Sequence, residues 1–266
     1  MNLQIVDNML DKIVEKTKKR IEAEKAVKPL EELKKEVSNL EINNEFPFKK
    51  ALQSDDISII GEVKKASPSK GLICRDFDYI QIAKDYQEAG ISAISVLTEP
   101  YFFEGSDEYL KEIAQNISIP VLRKDFICDE YMIYQAKLLG ASAVLLIVSI
   151  LNIPQLKSYL DLARSLGLSA IVEVHDSDEI RKAMIVGADI IGVNNRNLKD
   201  FTIDIENSIS LRRCVGEDII FISESGIKSK DDIIKLKENN VDAVLIGEAL
   251  MKSDDKKAMI SELKDG

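Results

Sequence analysis

The 266-residue sequence predicts an α/β chain folded as a (β/α)8 TIM barrel with an N-terminal helical extension, on three observations. A short motif recurs: a glycine or asparagine, a small or acidic residue, then a hydrophobic run. Eight apolar runs of strand length can be marked, and the residues near their ends, Glu62, Thr98, Lys124, Ile147, Glu173, Asn194, Glu224 and Gly247, lie 21 to 36 residues apart. Each interval holds one strand and one helix, and near-continuous apolar strands alternating with helices mean a parallel sheet covered by helices. An open doubly wound sheet is disfavoured, because no nucleotide-binding fingerprint accompanies it.

Residues 1 to 48 precede the first strand and do not join the repeat. Ile5, Val6, Met9, Leu10, Ile13 and Val14 form a helical stripe, and Pro29 is placed to open a second helix through Leu33 and Val37. The charge-rich stretch Lys16 to Lys28 reads as a solvated helix face. With no low-complexity linker, residues 1–266 read as one barrel domain of which 1–48 is the extension. The first strand is Ile57 to Val63. The second ends the run from Gly90 to Leu97, after a helix whose apolar face is Ile82, Ala83, Tyr86 and Ala89. Ile119 to Leu122 is the third, and the runs opened by Gly140, Gly167 and Gly187 are the fourth to sixth. Ile219 to Ile222 is the seventh, and the run opened by Asn240 is the eighth. The glycines and Asn240 suit the left-handed residue that ends the preceding helix.

Composition removes several classes of function. With 46 acidic against 36 basic residues the net charge is −10, which disfavours a nucleic-acid partner that needs a broad cationic footprint. Met1 to Arg20 is interrupted by Asp7, Asp11, Lys12 and Glu15, so neither a signal peptide nor a membrane partner is expected. Three cysteines, Cys74, Cys128 and Cys214, argue for a reducing compartment, the cytoplasm, and read as small fillers or loop residues. His175 is the only histidine, which removes multi-histidine metal sites. No two glycines lie two apart, and Val193 stands where a P-loop spaced from Gly187 and Gly192 would need lysine. No cofactor and no metal are expected.

In such barrels the chemistry sits where the strands end at their C-terminal edge, and there this chain is unusually charged. Glu62 and Lys64 lie two apart and so on one side of the first strand; Lys124 follows the third, Glu173 the fifth, Asn194 and Arg196 the sixth, and Ser223-Glu224-Ser225-Gly226 the seventh. Glu62 and Glu173 interrupt hydrophobic runs, and burying an unpartnered carboxylate costs several kcal/mol, so both should face a polar centre that includes Lys64, Lys124 and Arg196. Such a cluster supplies acids, bases and anion binders without a metal. Ser225-Gly226 and Gly247-Glu248, after neighbouring strands, suit phosphate bound by bare backbone amides, with the Glu248 side chain required to point away.

Together these segments resemble the indole-3-glycerol-phosphate synthase family over nearly the whole chain. The resemblance is carried by Glu-x-Lys-x-x-Ser-Pro-Ser at 62 to 69, Leu-Thr-Glu at 97 to 99, Arg-Lys-Asp-Phe at 123 to 126 and Val-Glu-Val-His at 172 to 175. Asn-Asn-Arg-Asn-Leu at 194 to 198, Ser-Glu-Ser-Gly-Ile at 223 to 227 and Leu-Ile-Gly-Glu-Ala-Leu-Met at 245 to 251 continue it in order. It implies a cytoplasmic enzyme of tryptophan biosynthesis acting on a phosphorylated small molecule, 1-(2-carboxyphenylamino)-1-deoxyribulose 5-phosphate, with other enzymes of that pathway as candidate partners. By resemblance Lys124 is the general acid of ring closure and Glu173 the base of dehydration, while Glu62 and Lys64 either orient the site or supply the second acid. Ser67, Asn194 and Arg196 resemble ligands of the substrate carboxylate, Glu224 an acceptor for the ribulose hydroxyls, and Lys64 with the amides of Ser225, Gly226, Gly247 and Glu248 the phosphate site. Lys124 is expected to be the freer of the two lysines, because Lys64 has a same-side glutamate. The wall from Leu145 to Val148 and Phe126 is open to two roles, facing the aromatic ring or packing in the core.

Three competing readings are weaker. A phosphoribosylanthranilate isomerase would carry a cysteine at the end of strand one and an aspartate near strand six, where this chain has Glu62 and Asn194. A Schiff-base aldolase would use Lys64 or Lys124 as a nucleophile. A catalytically inactive barrel subunit would have no need of the full set of charged strand ends. His175 reads as a loop cap rather than a catalytic group.

Overall fold

A computed structural model describes residues 9–197 and 202–265. Eight parallel strands close into a barrel: β1 (Ser58–Val63), β2 (Ala93–Leu97), β3 (Val121–Lys124), β4 (Ala143–Ile147), β5 (Ser169–Val174), β6 (Ile190–Asn194), β7 (Ile220–Glu224) and β8 (Ala243–Ile246). Each strand pairs with the next, and β8 returns to β1 through Ser58 opposite Ala243. The five motif residues behave as helix terminators: Gly90, Gly140, Gly167, Gly187 and Asn240 all have positive φ, between 58° and 86°.

Strand geometry explains where the core and the site lie. Side chains alternate between faces, so Ile60, Leu122, Leu145, Ile171, Ile222 and Leu245 point inward and form one buried cluster inside the barrel. Their neighbours Ile59, Val144, Leu146, Val172, Phe221 and Val244 point outward into a second cluster under the helices. One step of two residues beyond Ile60, Leu122, Ile171 and Ile222 come Glu62, Lys124, Glu173 and Glu224. The barrel therefore changes from apolar to charged at its C-terminal mouth within one pleat.

The third strand begins two residues later than its hydrophobic run implied. Ile119 and Pro120 lead into it, and the Pro120 carbonyl accepts from the Ile94 amide before the ladder proper starts. Pro120 itself has no N–H to offer.

The extension contains α1 (Met9–Val27) and α2 (Leu30–Ser38), the latter beginning just after Pro29. Ile5 and Val6 of the expected stripe, and Leu198 of the Asn-Asn-Arg-Asn-Leu segment, lie outside the described residues. The stretch Lys16 to Lys28 is not simply a solvated face. Thr17 and Ile21 are buried, and Arg20 turns inward to Asp125. A short helix that the apolar pattern did not signal, α3 (Pro47–Ala51), closes the opposite end of the barrel by inserting Phe48, fully buried, with Leu52 into the inner cluster.

The remaining helices are α4 (Tyr79–Glu88), α5 (Asp107–Asn116), α6 (Glu130–Leu138), α7 (Ile153–Ser165), α8 (Ser177–Ile185), α9 (Glu206–Arg212) and α10 (Lys230–Glu238), with α11 (Glu248–Lys252) and α12 (Lys256–Lys264) after β8. The Asp78, Ser106, Asp129, Asn152, Asp176 and Ser229 side chains each accept a backbone N–H at a helix start, so polar loop residues set where the crossover helices begin. Among the described residues no helix is long and apolar enough to cross a membrane.

Candidate active site

The twelve residues expected to act in catalysis or ligand binding line one cavity of about 400 Å³ at the C-terminal mouth: Glu62, Lys64, Ser67, Lys124, Glu173, Asn194, Arg196, Glu224, Ser225, Gly226, Gly247 and Glu248. At its centre Lys124 Nζ stands 3.0 Å from Glu173 Oε2 and bonds Glu224 Oε2 as well. Lys64 pairs with Glu62. Lys124 is therefore the more heavily paired lysine, against the expectation that it would be the freer one. Strand adjacency could not reveal this, since Glu173 and Glu224 reach it across the barrel interior.

Burial and charge set the protonation states. Burial alone would discharge Lys124, but Glu224, Glu173 and Glu62 outweigh it and hold its pKa above the usual lysine range. Burial likewise opposes ionisation of Glu173, yet Lys124, His175 and a hydrogen bond from Asn194 pull its carboxyl below the ordinary range. Burial, with the negative fields of Glu173 and Glu62, defeats the help of Lys124 at Glu224 and pushes that carboxyl up to about 7. Two carboxylates on one ammonium have thus been driven apart, one kept ionised and one able to carry a proton near neutrality. Oε1 of Glu224 is buried beside Gly192 and has no hydrogen-bond partner among the described residues.

Two glycines make room for these carboxylates. A Cβ at Gly192 would overlap Glu224 Oε1, and one at Gly247 would overlap Glu62 Oε2 and stand 3.0 Å from Lys64 Nζ. Gly247 thus serves the Glu62–Lys64 pair as well as any ligand at the mouth. Beyond β7 the chain turns sharply, with positive φ at both Ser225 (69°) and Gly226 (94°). A serine in that region is strained by about 1–2 kcal/mol. The turn is held by Asn195 Nδ2, which donates to the Ser225 carbonyl (3.0 Å) and to Ser223 Oγ (2.9 Å).

Arg196 lies two residues beyond β6, in a bridge to Ile203, with its backbone N–H donating to Asn194 Oδ1. Its Nη2 is 3.9 Å from Glu248, whose carboxylate also meets Lys252 (2.7 Å) and Lys70 (3.6 Å). Glu248 therefore does not point away from the cavity. Its anion sits among three cations at the rim, and burial, which opposes its charge, is overcome by Lys252, Lys70 and Arg196, so its pKa is lowered.

Several lining residues were not marked as site residues by the sequence. Met9, Leu10 and Ile13 bring the extension over the mouth, and Lys228 and Lys252 add cations near the Ser225–Gly226 turn and α11. Phe103 lines the cavity because Glu99, buried and accepting the amides of Tyr101, Phe102 and Phe103, folds the loop after β2 inward. Leu145, Ile147 and Phe126 also face the cavity, whereas Leu146 and Val148 pack outward, which divides the wall expected at 145 to 148 between both roles.

Comparison with known proteins agrees with this geometry. A model of the family described as indole-3-glycerol phosphate synthase matches residues 10–263. Proteins of that name from Endomicrobium trichonymphae and Leuconostoc mesenteroides are 54% and 51% identical; the matches cover 97% and 96% of this chain and 100% and 98% of those proteins. Among solved structures, 3-hexulose-6-phosphate synthase from Salmonella typhimurium superposes with a TM-score of 0.64 at 16% identity, over 79% of this chain and 97% of that one, a likeness of fold alone. A barrel mouth that gathers Glu62, Lys64, Lys124, Glu173, Arg196 and Glu224, within a match over nearly the whole chain, places the chain in the indole-3-glycerol phosphate synthase family.

Proposed function

We infer that the chain catalyses the indole-3-glycerol phosphate synthase reaction of tryptophan biosynthesis. In it 1-(2-carboxyphenylamino)-1-deoxyribulose 5-phosphate closes to indole-3-glycerol phosphate with loss of carbon dioxide and water. The observation that carries the assignment of roles is the Glu173–Lys124–Glu224 triad, an ionised carboxylate and a protonatable one on a shared ammonium.

Ring closure needs a proton at the ketone oxygen while the aromatic carbon bearing the carboxylate attacks the carbonyl carbon. Lys124, kept charged by its carboxylates, supplies it: such an ammonium is a poor acid toward water and a sufficient one toward a developing alkoxide. Loss of carbon dioxide returns the ring electrons. Dehydration follows, with Glu173 removing a proton and the departing hydroxyl protonated from the Glu62–Lys64 pair, which alternatively only orients the substrate. Glu224 accepts the ribulose hydroxyls.

Ser67, Asn194 and Arg196 hold the substrate carboxylate until it leaves, because a guanidinium fork matches a carboxylate. Lys64 and the amides of Ser225, Gly226, Gly247 and Glu248 hold the phosphate, joined by Lys228 at the same rim, provided that the Glu248 carboxylate stays on Lys252, Lys70 and Arg196 and off the anion. The extension and barrel act as one unit, since α1 lines the cavity. Unpaired Cys74, Cys128 and Cys214 support a cytoplasmic setting, where other tryptophan-pathway enzymes are the candidate partners.

The test is an assay for indole fluorescence appearing from the substrate, run before and after exhaustive EDTA treatment. Turnover unchanged by chelation is the expected result, and a loss restored by Mg2+ or Zn2+ would reassign the carboxylates as metal ligands. Arg196→Lys should raise KM several-fold although the charge is kept, since an ammonium cannot make the bidentate contact. If Arg196→Ala leaves KM and turnover untouched, the carboxylate is held elsewhere.

A further inference from the structure

His175 follows Glu173 by two residues, so it leans to the same side of the strand just beyond the base. Its Nδ1 is 3.0 Å from Glu179 Oε2 on α8, and the same carboxylate oxygen accepts the His175 backbone N–H at 2.8 Å. Its carbonyl accepts from the Asn207 side chain on α9. The ring is thus fixed on one side, which aims Nε2 at the site. That nitrogen is buried, has no hydrogen-bond partner among the described residues, and lies 3.6 Å from Glu173 Oε1. The other oxygen of Glu173, Oε2, is the one taken by Lys124.

We propose that His175 is a positioning residue for Glu173: anchored by Glu179, it presents an imidazolium N–H to Oε1, so that the carboxylate is held between two cations with a fixed orientation. The proposal rests on the reading of Glu173 as the base. The loop-capping role expected of this histidine is real but is only half of its geometry, the half facing Glu179. Among the described residues the acidic groups acting most strongly on the ring are Glu173 on its own strand, Glu179 on α8 and Glu224 on β7. All three are acidic and favour the charged ring, and from α9 the neutral Asn207 amide reaches the His175 carbonyl. Burial opposes the charge, but these fields and the Glu179 hydrogen bond prevail, so the histidine pKa is raised. Glu173 titrates below the ordinary carboxylate range, hence the ring remains charged throughout the titration of its neighbour.

A cation beside Glu173 favours its ionised form, so removing that cation must raise the pKa of the base. His175→Ala should move the acidic limb of the kcat/KM profile upward by about one pH unit and lower kcat about tenfold, with KM changed much less. His175→Gln keeps a donor but no charge; it should recover part of kcat while leaving the limb displaced. An acidic limb that stays in place in both variants overturns the proposal, including the case in which the thermal midpoint falls, because a merely structural role would give that pattern. Glu173→Gln separates the two ideas: normal turnover in that variant overturns the base assignment itself, whereas an impaired Glu173→Gln with an unmoved limb in the His175 variants sinks only the role given to His175.

Discussion

Lys124→Met should lower single-turnover ring closure by at least about 10²-fold and as much as about 10⁴-fold, the range expected for loss of a general acid. The structure gives a reason to expect the upper part of that range. Lys124 is the ammonium between Glu173 and Glu224, which are only 3% and 1% exposed, and methionine fills the space without the charge. Two buried carboxylates left without their cation respond by taking up protons, since an isolated charge there costs more than protonation does. Glu173, ionised because of Lys124, would then be disabled as a base by a substitution at the acid. The pH profile should report this as an acidic limb displaced to higher pH in whatever activity remains. Affinity for a phosphorylated product should fall far less, because the expected phosphate ligands lie around Lys64, Ser225 and Gly247. Normal turnover in Lys124→Met, or a defect confined to ligand binding, would remove Lys124 from the chemistry. Lys64→Met should differ in kind, weakening phosphorylated ligands and turnover together.

The functional strand ends were legible because a barrel strand has a period of two. Once Ile60, Leu122, Ile171 and Ile222 are recognised as inward, Glu62, Lys124, Glu173 and Glu224 can only be inward as well, and charges that end apolar runs stand out. The partners of those charges were not legible. The pairing of Lys124 with carboxylates on β5 and β7 depends on barrel closure, whereas Glu62–Lys64 is a same-strand pair and could be read directly. Asn195 was hidden for another reason. It is one residue out of phase with Asn194, so its side chain leaves the mouth and braces the Ser225 turn and Ser208 from behind. Met9, Leu10 and Ile13 looked like any amphipathic stripe, and nothing in the pattern marked Phe48, because what each covers is decided by tertiary docking. The charge-rich half of α1 misled for a related reason: a pattern of Lys, Arg and Glu does not distinguish the one arginine that meets a buried aspartate from neighbours that meet water.

That aspartate is where the largest loss of stability is expected. Asp125 is out of phase with Lys124, fully buried, and accepts from three sides: Arg20 of α1 at 2.8 Å, Thr98 Oγ1 at 2.7 Å and the Phe126 amide at 2.8 Å. Arg123, the largest fully buried side chain, stands 3.5 Å away and is otherwise held by Asp107, Gln135, Thr98 and the Met132 carbonyl. Asp125→Ala leaves two guanidinium groups beside an apolar methyl. Removing one partner of a buried pair typically costs about 3–5 kcal/mol, and here Arg123 keeps other acceptors while Arg20 loses its main one. The loss should therefore fall on the docking of α1, and through Met9, Leu10 and Ile13 on the roof of the cavity. Asp125→Asn, which preserves the shape and some hydrogen bonds, should cost less. The acid dependence discriminates further. Burial alone would raise the Asp125 pKa, but Arg20 and Arg123 outweigh it and hold it below its ordinary value. A depressed folded-state pKa contributes stability that is complete above the unfolded value of about 3.9 and is lost as pH falls from there through the folded one. Denaturant unfolding of the parent should thus weaken below about pH 4, with a flatter dependence in Asp125→Asn. An Asp125→Ala variant within about 1 kcal/mol of the parent at pH 7, or an unchanged acid dependence in Asp125→Asn, would mean that the extension is held by its apolar stripe alone.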